Sequence, residues 1–116
     1  MKSQSIKRRR EIRHQLREPL PARVLLRRLR DGGSRGVSGL LMDVSKNGLG
    51  VLVQEHVALD SRCRIEVVCN QKRQVFRGEV CYGTRTEAGL RLGILLSPGN
   101  TVSALEYLKA EQVELF

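Results

Sequence analysis

Two groups of residues in this 116-residue chain have the types and the spacing to hold an anion or a nucleobase. The first lies in Arg8-Arg9-Arg10-Glu11-Ile12-Arg13, where Arg9 and Arg13 stand four apart. Two guanidinium groups at that spacing can lie side by side on a helical turn, or reach one ligand from an extended segment. Guanidinium is a planar fork of donors that pairs bidentately with guanine O6 and N7, binds phosphate, and stacks on a purine face, none of which lysine does as well. The spacing alone is weak evidence, because Arg13 and Arg17 repeat it.

The second group is Asp43-Val44-Ser45-Lys46-Asn47-Gly48. An Asp followed two residues later by a Ser at the end of a strand sets carboxylate and hydroxyl on one face, where each can bond a ligand or the local backbone. Gly48 is expected to supply a positive φ for the turn. Taken by themselves, these residues are also explained by an ordinary Asx-type turn.

Catalysis would need a nucleophile with a base, a carboxylate pair in a pocket, or a metal centre. Asp43 is the only acid at a strand-to-turn junction, His14 and His56 have no evident partner, and no phosphate-cradling G-x-x-x-x-G-K run occurs. Cys63, Cys69 and Cys81 are odd in number, lack C-x-x-C spacing and fall in strand-like alternation, so they are read as reduced core residues. The chain is therefore expected not to be an enzyme and to hold neither metal nor cofactor.

Charge narrows the choice of partner. Residues 1–36 carry 12 Lys and Arg against Glu11, Glu18 and Asp31, whereas residues 37–116 carry 9 of each sign, so the whole net charge of +9 sits at one end. That asymmetry points to an anionic partner (nucleic acid, a nucleotide or an acidic membrane surface) or to a solvated basic tail. No apolar stretch approaches the roughly 20 residues needed to cross a bilayer, and no apolar segment of signal-peptide type follows the basic start. The expected location is cytoplasmic, without membrane insertion.

The elements that must position these residues are strands. Hydrophobic residues make up 41% of the chain but aromatics only 3%, so the core must be built from Leu, Val and Ile. Residues 1–19 are expected to form a flexible basic arm closed by Pro19 and Pro21. From Leu20 the period-two pattern of Ala22, Val24 and Leu26 against Arg23 and Arg27 marks a strand. Further strands are expected over Gly36 to Val44, Leu49 to Val53, Arg62 to Cys69, Gln74 to Tyr82 and Gly89 to Leu96. Asn47-Gly48 and Asn70-Gln71-Lys72 supply turn signals between them. After Pro98-Gly99, Asn100 or Thr101 is expected to cap a terminal helix over about 100–114, with Val102, Leu105 and Leu108 on its apolar face. The fold class is all-β with a C-terminal helix. Six short strands without intervening helices favour a closed antiparallel barrel spanning residues 20–116, which leaves no exposed sheet edge.

Arg9-x-x-x-Arg13 in an N-terminal arm, a strand ending in Asp43-x-Ser45-x-x-Gly48, and six strands with a closing helix together resemble the PilZ domain family. The stretch Phe76-Arg77-Gly78-Glu79-Val80-Cys81-Tyr82, with Gly89-Leu90-Arg91-Leu92-Gly93 after it, resembles the fifth and sixth barrel strands of that family. The likeness runs from about Arg8 to about Leu108, and departs where Leu92 replaces a frequent Phe. It implies a six-stranded PilZ-type barrel and a ligand, cyclic di-GMP. By that resemblance Arg9 and Arg13 would contact guanine edges and phosphates, Asp43 would accept from guanine N1 and N2 hydrogens, Ser45 would serve base or phosphate, and Gly48 would admit the ligand close to the backbone. Arg8 resembles the sequences that take a stacked pair of ligands; roles for Arg10 and Arg17 are not assigned. The implied function is a non-catalytic receptor or adaptor whose arm orders on binding and so alters affinity for a downstream protein. Two alternatives stand beside it. One is a small barrel binding nucleic acid without sequence preference, against which counts the absence of aromatics among the arginines. The other is a ligand-free PilZ-like interaction module.

Overall fold

The structure, a computed structural model, describes residues 11–27 and 32–116; Arg8, Arg9 and Arg10 lie outside the described residues. Six strands and one helix follow in order: β1 (His14–Arg27), β2 (Ser34–Val44), β3 (Gly48–Val53), β4 (Arg62–Cys69), β5 (Lys72–Thr86), β6 (Gly89–Leu96) and α1 (Ala104–Ala110). The strands close into an antiparallel barrel in the order β1-β2-β3-β6-β5-β4. Closure comes from β1 pairing with β4, Ala22 opposite Val67 and Leu26 opposite Cys63.

The interior is aliphatic, as the composition requires. Val24, Val37, Val44, Val51, Val53, Ile65, Val67, Val80 and Leu92 are all fully buried, each from an inward-facing strand position, and Phe76 is the one aromatic in the barrel core. In β4 the inward set Cys63, Ile65, Val67 and Cys69 alternates with outward Arg62, Arg64 and Glu66, the period of a half-buried strand. Between β4 and β5, Asn70 (φ 52°) and Gln71 (φ 65°) form a two-residue turn with both central residues left-handed, matched to strand twist. Cys63 and Cys69 are buried, but Cys81 is only partly so, because β5 bulges at this point.

β1 reaches back to His14, well before the expected start at Leu20. Its pairing with β2 shifts register between Gln15 and Leu20, around Pro19, which lacks an N–H to donate to a ladder. The gap is filled from the other end of the chain. Leu16 bridges to Leu115, the Arg17 N–H donates to the Glu114 carbonyl at 3.0 Å, and the Phe116 N–H donates to the Gln15 carbonyl at 2.8 Å. Leu16 is thereby fully buried.

α1 is shorter than expected and capped by a different residue. Ser103 accepts from the Glu106 N–H at 3.1 Å, the Ser-x-x-Glu arrangement of a capping box. Neither of the expected caps, Asn100 or Thr101, holds that place; Asn100 instead binds β5, accepting from the Arg77 N–H and donating to the Arg77 carbonyl. The helix ends in a left-handed Gln112 (φ 62°), with the Val113 N–H reaching the Leu108 carbonyl. Ala104 and Leu108 are buried against the barrel, and the Tyr107 ring meets Phe76 edge-on at 5.8 Å. No helix among the described residues is long and apolar enough to cross a membrane.

Candidate functional site

The site is organised by a row of four residues lying side by side on four strands. Asp43 of β2 is opposite Gly50 of β3, Gly50 is opposite Gly93 of β6, and Gly93 is opposite Tyr82 of β5. Leu49 and Val51, on either side of Gly50, point into the core, so the row occupies the outer face of the barrel. The two glycines make a floor without side chains. A Cβ on Gly50 would fall 2.5 Å from Asp43 Oδ1, and one on Gly93 would clash with the Tyr82 ring, so the carboxylate and the ring each rest on a glycine.

Bulges aim the two flanking side chains. By strict alternation Asp43 would share the inward side of Leu41, and Tyr82 that of Val80. Register shifts between Leu41 and Asp43 and between Val80 and Tyr82 insert one extra residue each and turn both side chains outward. Both irregularities are placed immediately before a site residue.

Asp43 is 4% exposed and would be costly to bury alone as a carboxylate. Two guanidinium groups satisfy it. Arg13 Nη1 donates to Oδ1 at 3.0 Å from just ahead of β1, and Arg91 Nη2 donates to Oδ2 from β6. Arg13 also donates through Nη2 to the Tyr82 hydroxyl at 2.5 Å and lies 5.8 Å from that ring's centre, so it spans the row from the carboxylate to the phenol. Burial, and then the charge of Arg13, lower the pKa of Arg91 from the usual arginine value. One carboxylate thus holds together two cations that repel each other.

Next to this row lies the turn between β2 and β3. Ser45 is 2% exposed, and its N–H closes the turn on the Gly48 carbonyl at 3.0 Å. Its hydroxyl donates to Glu11 Oε1 at 2.9 Å, while Asn47 Nδ2 donates to Glu11 Oε2 at 2.7 Å. Glu11, Arg13, Ser45, Asn47, Gly48, Tyr82 and Gly93 line a cavity of about 20 Å³. Gly48 does not have the expected positive φ; among the described residues the glycines that do are Gly32 and Gly89. Its lack of a side chain matters for space, since a Cβ would come within 3.2 Å of both the Ile94 carbonyl and the Ser45 hydroxyl.

Arg13 and Asp43 are therefore in direct contact, and Ser45 and Gly48 adjoin them around Glu11. Arg8 and Arg9 lie outside the described residues. Arg17 points to the chain's other end and pairs with Glu114 at 3.3 Å, both side chains exposed. Sequence reasoning missed Arg91, Tyr82, Gly50, Gly93, Asn47 and Glu11 as site residues. The available signal was glycine inside strands with aliphatic neighbours, which marks a close approach but not what approaches. Among the described residues no three His, Cys, Asp or Glu side chains gather as a metal site would require.

A carboxylate between two guanidinium forks, with a hydroxyl and an amide beside it, offers acceptors and donors for a guanine edge or a phosphate. No curated protein matches the chain. The fold is similar to a structure described as the PilZ domain with c-di-GMP of YcgR from Escherichia coli, with TM-score 0.63 and 18% identity over 91% of this chain and 88% of that one. It is also similar to YcgR from Escherichia coli in complex with c-di-GMP, with TM-score 0.62 and 20% identity over 90% of this chain and 42% of that longer one. At such identities the likeness is one of fold. The sequence itself matches the PilZ domain model from residue 7 to residue 110, nearly its whole length, and on that match the chain belongs to the PilZ domain family.

Proposed function

We propose that this chain is a receptor for cyclic di-GMP. The observation that carries the reading is the buried Asp43 carboxylate gripped by Arg13 and Arg91 beside the Ser45 turn, on an outer wall where two glycines make room for it and for Tyr82. Family membership and the c-di-GMP named in the two YcgR structures support the same ligand. Cyclic di-GMP carries two guanines and two phosphates in one ring. Asp43 accepts from a guanine N1 and N2, the guanidinium groups of Arg9 and Arg13 take guanine O6 and N7 or phosphate, and Arg8 adds a further fork for a second ligand. Ser45 serves base or phosphate, and Gly48 keeps the backbone open to the ligand.

No chemical step is assigned to the chain; its output is mechanical. Ligand bridging the N-terminal arm and the barrel orders that arm, and the altered surface changes affinity for a downstream protein by no more than the ligand's differential binding energy. Isothermal titration of the full chain with cyclic di-GMP tests the reading: saturable heat with one or two ligands per chain is expected, and folded protein that gives no heat at micromolar ligand refutes it.

A further inference from the structure

The donors of the Ser45 turn are already taken in the free protein. Glu11 binds both, the Ser45 hydroxyl at 2.9 Å and the Asn47 amide at 2.7 Å, one carboxylate oxygen to each. A carboxylate held by two convergent donors imitates the way a phosphate oxygen pair would be held at the same place. At the same time Arg13 is occupied by Asp43 and Tyr82. The space left among these groups, about 20 Å³, is near what one water molecule needs and far below a nucleobase.

Charge leads to the same conclusion. Glu11 and Asp43 against Arg13 and Arg91 make a neutral cluster, whereas without Glu11 the notch has an excess positive charge and two vacant donors. From this closure we infer that Glu11 is an intramolecular occupant of the ligand site, displaced when a phosphate-bearing ligand enters, and that it sets the affinity threshold of the receptor. The inference rests on the cyclic di-GMP reading above and goes further, naming what the ligand competes with. Because Glu11 stands two residues before Arg13, a ligand that ejects its carboxylate moves the segment that bears the binding arginine. Apparent affinity is the intrinsic affinity scaled by the fraction of molecules in which Glu11 is out.

The inference predicts an effect opposite in sign to that of every residue that contacts ligand. In titrations of the full chain with cyclic di-GMP, Glu11→Ala should bind about tenfold more tightly than wild type, and Glu11→Gln should fall between them. In the free protein, Glu11→Ala should also shift the Asn47 side-chain amide resonances. Wild-type binding with an unchanged or weaker Glu11→Ala variant overturns this inference and leaves the ligand reading standing, a weaker variant meaning that Glu11 touches ligand. Unmoved Asn47 amide resonances overturn it as well. If neither protein binds, the ligand reading fails and this inference falls with it.

Discussion

Gly50 on β3 and Gly93 on β6 are cross-strand partners, and the side chains they lack are what admits Asp43 from one flank and Tyr82 from the other. A pair of alanines would leave the ladder intact and close the notch. The site is thus specified as much by what is missing from two strand positions as by the arginines that line it.

Arg13 should be the most sensitive of the described residues to substitution. Arg13→Ala is expected to weaken cyclic di-GMP binding by about 1 to 3 kcal/mol, the range of a bidentate guanine contact. Arg13→Lys should recover less than half of that loss, because an ammonium cannot span Asp43 and Tyr82 as the fork does. Equal binding by the lysine variant and wild type, measured by titration, would show that only charge matters.

Asp43→Asn removes the charge that holds Arg13 and Arg91 together. Since both guanidiniums are about one-third exposed and can turn to solvent, the folding cost should be modest, about 1 to 2 kcal/mol, between that of an exposed ion pair and that of a buried hydrogen bond to a charged group. Binding should be lost far more completely than stability. A denaturant titration showing a large stability loss instead would make Asp43 a structural anchor first.

Gly93→Ala and Gly50→Ala test the floor. The added methyl must push away the Tyr82 ring in one case and the Asp43 carboxylate in the other, 2.5 Å from its Oδ1. Overpacking of this kind costs about 1 to 3 kcal/mol. Both variants should bind ligand poorly although neither alters a charge, and a Gly50→Ala variant with wild-type affinity would contradict the geometry.

Cys63 gives a pH signature. Burial, with Cys81 and Glu79 adding to it, pushes its thiol up to about 12 from the usual 9.0. In the unfolded chain the thiol ionises at its ordinary pKa, so above about pH 9 the unfolded state binds fewer protons than the folded one. Stability should therefore be indifferent to this group at neutral pH and fall as pH rises from 9 toward 12, by at most about 1.4 kcal/mol per unit. Tyr and Lys ionise in the same range, so the check is the difference in slope between wild type and Cys63→Ala. Parallel slopes would remove the argument.

The parts of the fold legible in the sequence are those governed by near neighbours. Cys63, Ile65, Val67 and Cys69 announce β4 by alternation, and Asn70 marks the turn after it because asparagine accepts left-handed backbone more readily than most residues. The Asp43-x-Ser45-x-x-Gly48 turn is recognisable because its residues are near neighbours in sequence. What could not be read depends on register. That residues 43, 50, 93 and 82 form one row follows from two bulges, and a one-residue slip would send every side chain of a strand to the opposite face. The start of β1 was hidden because Leu16 is the only aliphatic residue between His14 and Pro19, and its partner is Leu115. Sequence does not single out Ser103 as the cap because Asn100 has equal capping propensity, and only the bonds of Asn100 to Arg77 remove it from the competition.

Leu16→Ala examines that hidden segment. Its side chain is 2% exposed within the clasp between the two ends of the chain, so the substitution should cost about 2 to 5 kcal/mol, as for other large-to-small core changes. Thermal melts distinguish this from the fraction of a kcal/mol expected if the segment were a loose leader.

The clasp also bears on the order of assembly. Gln15 and Arg17 find their hydrogen-bond partners about a hundred residues downstream, at Phe116 and Glu114. On a ribosome, His14 and Gln15 can meet their β2 partners early, whereas these clasp bonds must wait until residues 114–116 have emerged, and contacts of such long range are those that slow folding most. The burial of Leu16 is thus completed only when synthesis has passed residue 116.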